Sequence, residues 1–158
     1  MKPSAMLLAA LGCVVMVASP ATRAPTAEIS MLGTWEFVEA IPAPWSKSED
    51  KAALEAEGKR MLGTEVTFAK GAVKSKFKPL DCKNRVIYAP NAIAVDALFQ
   101  GNLPEPNPVA AAARLGFPKG DVPGMDVRCL KALHTFHFRD SDTALINFNR
   151  VIYTLKRR

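Results

Sequence analysis

Two histidines stand three residues apart, His134 and His137. On a helix that spacing would put both imidazoles on one face, where they could chelate a metal ion. Their neighbours point elsewhere. Phe136 and Phe138 alternate with Thr135 and Arg139, the pattern of a β-strand, and on a strand positions i and i+3 face opposite ways. His134 is therefore expected with the phenylalanines and His137 with Thr135 and Arg139, so no metal site is predicted. Asp140-Ser141-Asp142 sets a hydroxyl between two carboxylates, but it stands where a hairpin turn is needed, and Asx-type hydrogen bonding accounts for it without catalysis. The sequence has no Gly-x-Ser-x-Gly elbow, no His-Glu-x-x-His and no glycine-rich phosphate loop. Catalytic residues and cofactors are both read as none, and an enzyme is not expected.

The cysteines depend on where the mature chain begins. Residues 1–21 read as a signal peptide: Lys2 is the positive start, Met6 to Ala18 an apolar run, and Ser19-Pro20-Ala21 a small-residue cleavage site. The apolar run is shorter than the roughly 18 residues a membrane span needs; an uncleaved anchor is the alternative. Ala10-Leu11-Gly12-Cys13 is similar to a bacterial lipobox, so lipidation at Cys13 is a second alternative, and membrane association is expected only then. Removal of residues 1–21 leaves Cys82 and Cys129, and in an oxidising periplasmic or extracellular compartment two cysteines imply one disulfide. It would close 46 intervening residues, worth about 3–4 kcal/mol by loop entropy. Loss of Lys2 leaves 20 basic against 15 acidic residues, enough for weak attraction to anionic surfaces. Nucleic acid is not an expected partner, since aromatic and basic residues do not interleave.

These groups need elements to position them. Residues 22–30 are expected as a flexible tether and 31–158 as one β-barrel domain. Trp35 and Phe37 share one face of a first strand that Pro42 and Pro44 end. Ser46 and Glu49 match a capping box that opens a helix through about Arg60. Val66 and Phe68 mark a second strand. The turn Lys70-Gly71 leads into a third, with Lys74, Lys76 and Lys78 on its polar face, either as a binding stripe or as edge protection. Strands follow over Arg85–Tyr88 and near Ile93–Val95. Asn107-Pro108 starts a short helix that Gly116 closes. The last third reads as Met125–Lys131, His134–Arg139, Thr143–Phe148 and Val151–Lys156, all strand. The expected fold is mainly β: an antiparallel barrel of eight to nine strands with two short helices packed outside.

Gly33-Thr34-Trp35 near the start and Arg150-Val151-Ile152-Tyr153 near the end resemble the calycin group, the lipocalins and fatty-acid-binding proteins. The resemblance implies a first strand closing against the last, a helix inserted after the first strand at about 46–61, and a basic residue stacked over the tryptophan. Arg150 is the residue it nominates, a cation–π contact of about 0.5–2 kcal/mol.

Two kinds of function fit this layout. The barrel could carry a small apolar ligand, with Trp35, Phe37, Phe68, Phe136 and Phe138 as its lining. Alternatively a solid barrel could bind an envelope protein or polymer through exposed loops, with Trp45, Phe99, Leu103 and Phe117 as the contact. An internal cavity of several hundred Å3 would favour the first; an exposed apolar loop patch would favour the second.

Overall fold

Alternation of buried and exposed side chains organises the chain. The computed structural model describes residues 29–104, 106–130 and 132–158; the expected signal segment, the Cys13 lipobox and the tether as far as residue 28 lie outside the described residues. Among the described residues eight strands form one antiparallel sheet: β1 (Gly33–Pro42), β2 (Glu65–Ala69), β3 (Ala72–Ser75), β4 (Val86–Ala94), β5 (Asp121–Cys129), β6 (Ala132–Asp140), β7 (Thr143–Phe148) and β8 (Val151–Arg157). Their order across the sheet is β3-β2-β1-β8-β7-β6-β5-β4. The tail of the chain thus returns beside the first strand, from Trp35 opposite Arg157 to Pro42 opposite Val151.

The sheet curls into a half-barrel. Its edges, β3 and β4, share no ladder among the described residues, so the closed barrel of eight to nine strands is corrected to eight strands with a seam. The edges meet only at one end. Val73 and Cys82 exchange backbone hydrogen bonds of 2.7 and 2.8 Å, and the Tyr88 hydroxyl donates to the carbonyl of Ala69 at 2.9 Å. The disulfide Cys82–Cys129, with Cα atoms 6.0 Å apart, ties the segment before β4 to the end of β5.

Inward residues build one core. Trp35 and Phe37 of β1, Phe68 of β2, Phe136 and Phe138 of β6, and Tyr153 of β8 are all almost fully buried. A bulge between Phe37 and Glu39 then shifts the register of β1, so that Ala40 points inward and Ile41 lies outward beside Ile152. The outer face carries a second core beneath a helix expected to pack outside: Leu145 and Ile152 of the sheet pack with Leu98, Ala112 and Leu115. This layer comes from α2, a single turn at Leu98–Gly101, and α3 (Pro108–Arg114), whose Asn107 side chain accepts from the N–H of Ala110 at 2.8 Å.

The first helix departs from expectation in two ways. A 3-10 turn at Ser48–Asp50 precedes α1 (Lys51–Lys59), and no side chain caps α1; the Ser46 hydroxyl donates instead to the carbonyl of Arg150 at 3.3 Å. Nor does α1 pack outside. Leu54 joins the inner core, and an added Cβ at Gly58 would lie 2.8 Å from that of Ala40 and 3.3 Å from Val151 Cγ1. Only glycine permits so close an approach of helix to strand.

Two strand boundaries also move. The third strand ends at Ser75, so Lys76 and Lys78 leave the expected stripe. The two strands expected at 85–88 and 93–95 are one, β4, running through Pro90. A proline is tolerated there because β4 is a sheet edge and need not donate on its free side. Replacing Cys82 and Cys129 together by Ala is expected to lower the unfolding free energy by about 3–4 kcal/mol in urea titrations. Equal stability of the two proteins would remove the disulfide as a main constraint.

Candidate functional site

The inner aromatics crowd one another. Phe68 meets Phe136 edge-on with centroids 5.4 Å apart, Phe37 meets Tyr153 at 5.6 Å, and Trp35 meets Phe138 at 6.1 Å. Such contacts fill space and add about 0.5–1.5 kcal/mol each beyond area burial. The structure therefore brings Trp35, Phe37, Phe68, Phe136 and Phe138 together as packed core.

Free volume lies at the seam instead. A pocket of about 700 Å3 opens there along the inner face of the β4–β5 pair, where Tyr88 and Pro90 stand beside Pro123 and Met125. Ile29, Met31 and Leu32, the stretch leading into β1, form the facing wall, and Lys70 of the β2–β3 turn stands at the rim. Tyr88 is a fixed wall, its hydroxyl held by the carbonyls of Ala69 and Ala72 at 2.9 and 3.3 Å. Burial pushes its pKa up to about 12, so it remains a neutral donor.

Arg157 sets that facing wall. Its guanidinium lies 4.4 Å from the centre of the Trp35 ring, donates to the carbonyls of Leu32 (2.6 Å) and Ser30, and pairs with Asp142 at 3.2 Å. The Trp35 indole N–H donates to the carbonyl of Met31 at 2.9 Å. Residues 29 and 30, assigned to a flexible tether from sequence, are thus tied to the sheet. The basic residue stacked on the tryptophan is Arg157 and not Arg150, whose side chain pairs with Asp50 at 2.6 Å. Arg150 sits in the tight β7–β8 turn with φ 64°, at the opposite end of β8 from Arg157, which pairs with Trp35.

The alternative contact surface is corrected as well. Phe99, Leu103 and Phe117 are buried in the outer core, and Trp45 packs on Phe99 with centroids 5.7 Å apart. These residues cover the sheet and leave no free apolar loop patch at this place. His137 is buried beneath them, its ring 4.8 Å from that of Phe99. Burial lowers its pKa to about 4, with a smaller opposing influence from Asp126.

The pocket residues Tyr88, Pro90, Pro123 and Met125 escaped sequence reasoning. Their signal was present as period-2 pairs, Tyr88/Pro90 and Pro123/Met125, hidden because each proline lies just outside the strand expected there. No family model matches the chain, and no curated protein or solved structure matches it either. The fold and pocket define it as a mainly β half-barrel compatible with a calycin-like barrel.

Arg157→Met keeps the stem but removes the guanidinium. It is expected to cost about 1–3 kcal/mol in urea unfolding, from the cation–π contact and the charged hydrogen bonds, and to alter tryptophan fluorescence. An unchanged stability would show that the strap is held otherwise. His137 generates a pH prediction. The unfolded chain takes up this proton near pH 6.5 and the folded protein near pH 4. Stability from this group is therefore complete above pH 6.5 and declines as pH falls toward 4, by about 3 kcal/mol in total. His137→Phe should flatten that part of the stability–pH curve relative to wild type.

Proposed function

We propose that this protein is an exported, non-catalytic binding protein that carries a small apolar molecule in the seam pocket. The observation that carries the reading is the pocket itself: about 700 Å3, within the range of small-molecule sites, with Ile29, Met31, Pro90 and Met125 among its walls. Among the described lining residues Lys70 is the one cation, and Ser30 and Asn91 add neutral polar side chains, a polar complement small enough to orient a ligand without making the site hydrophilic. The calycin-like reading of the chain ends gives the same kind of function from a different direction. Burial of Phe99, Leu103 and Phe117 withdraws support from the loop-contact alternative. The Cys82–Cys129 disulfide suits an oxidising compartment, to which the signal segment read from residues 1–21 would deliver the chain.

Binding of the fluorescent apolar probe N-phenyl-1-naphthylamine tests this. Saturable binding at micromolar concentration is expected, weakened at least tenfold by Leu32→Trp and by Met125→Trp, each of which fills the pocket. Leu32 is 37% exposed, so its variant should fold normally. Absence of saturable binding, or binding indifferent to both variants, would overturn the proposal.

A further inference from the structure

The β6–β7 hairpin is intact only near its turn. Its ladder runs from Asp140 opposite Thr143 to His137 opposite Leu145 and stops there. Beyond that point β6 continues to Ala132 beside β5, and β7 continues to Phe148 beside β8. The two strands part, leaving a cleft of about 360 Å3 through the sheet. One side presents His134, Thr135 and His137; the other presents Ile146, Asn147 and Phe148. Phe99 and Gln100 stand over the outer mouth, both in the left-handed backbone region with φ 52° and 63°.

Three buried side-chain atoms of this lining have no hydrogen-bond partner: Nε2 of His134, Nδ1 of His137 and Oδ1 of Asn147. Only 3% of His137 is exposed. One orphaned polar atom costs about 1–3 kcal/mol, so three around one opening call for a hydrogen-bonding partner there. The described lining has no lysine, arginine, aspartate or glutamate, so an ion entering it would lose hydration without meeting an opposite charge. Flat walls come from Phe99 and Phe148, and the His134 ring lies 5.2 Å from that of Phe148. Strand alternation sends the two imidazoles to opposite faces of β6, so they do not chelate one ion.

We propose that this cleft is a second binding site, for a small, flat, uncharged molecule bearing both hydrogen-bond donors and acceptors, the chemical class of a nucleobase or a heteroaromatic amide. His137 and Asn147 are its polar anchors, and Phe99 and Phe148 its stacking walls. The assignment does not rest on the seam pocket, from which the residues of this cleft are separate.

Nuclear magnetic resonance on isotopically labelled full-length protein tests it, with adenine, uracil and nicotinamide as probes and nicotinate as the charged control. At least one neutral probe should shift the imidazole signals of His134 and His137 and the Asn147 side-chain amide saturably at millimolar concentration. Nicotinate should bind at least tenfold more weakly than nicotinamide or not at all. Asn147→Leu and, as a second variant, His137→Phe should weaken binding at least tenfold while keeping the dispersion of a folded spectrum. If none of the three neutral probes gives a saturable shift at the cleft, the guest is ordered water only and the proposal falls. It falls equally if both variants bind as wild type does, or if nicotinate binds as well as nicotinamide.

Discussion

The guanidinium of Arg157 is the point at which the segment leading into β1 meets the last strand. It stacks on Trp35, reaches back to the carbonyls of Ser30 and Leu32, and pairs with Asp142 in the β6–β7 turn. A lysine could supply the charge but not this geometry, because only a planar fork can stack on an indole while donating at its edges. The pairing of β1 with β8 brings the required residues opposite one another, Trp35 against Arg157. Without it the segment from Ile29 to Leu32 would have no fixed course, and the seam pocket would lack its facing wall. Sheet closure at the chain ends and the shape of the opening on the far side are thus one constraint.

The second constraint is burial on both faces. The strand β8 is buried at Val151, Ile152, Tyr153, Thr154 and Leu155 in succession, which a sheet facing water on one side would not tolerate. Odd positions fill the half-barrel, and Ile152 meets the layer made by α2 and α3. Thr154, the polar member, donates to Glu39 at 3.0 Å. This explains why a short alanine-rich helix is present: small side chains at Ala111 and Ala112 let α3 lie close on the sheet.

Much of this was legible in sequence where alternation was clean. Trp35/Phe37, Val66/Phe68 and Phe136/Phe138 each revealed a strand and its inward face, and the paired cysteines revealed their bond. The outer core was not legible, because Phe99, Leu103 and Phe117 lie in a proline-punctuated stretch with no period to show what they cover. A proline in an edge strand looks the same in sequence as a proline between strands, which split β4 and concealed half the pocket wall. The capping pattern at Ser46 and Glu49 misled for another reason: the chain turns through a 3-10 segment first, and Ser46 is used to anchor the β7–β8 turn. The stacking role passed from Arg150 to Arg157 because a tight turn with φ 47° and 64° at Asn149 and Arg150 turns the earlier arginine toward Asp50.

Where space remains in this molecule follows from where its strands lack a neighbour. Paired strands lie about 5 Å apart and their side chains close the gaps between them, so the well-paired run β2-β1-β8-β7 offers solid aromatic packing on its inner face. Among the described residues pairing lapses between the edges β3 and β4 and between the open ends of β6 and β7, as well as beyond Glu36 on the β2 side of β1, where α1 packs. The first failure faces inward, among Met31, Pro90 and Met125, and leaves an apolar hollow. The second lies beneath the outer layer, and its walls include side-chain atoms without a partner: the imidazoles of β6 and the amide of β7. These two openings of one sheet thus differ in chemical character, and the difference comes from which layer each opening interrupts.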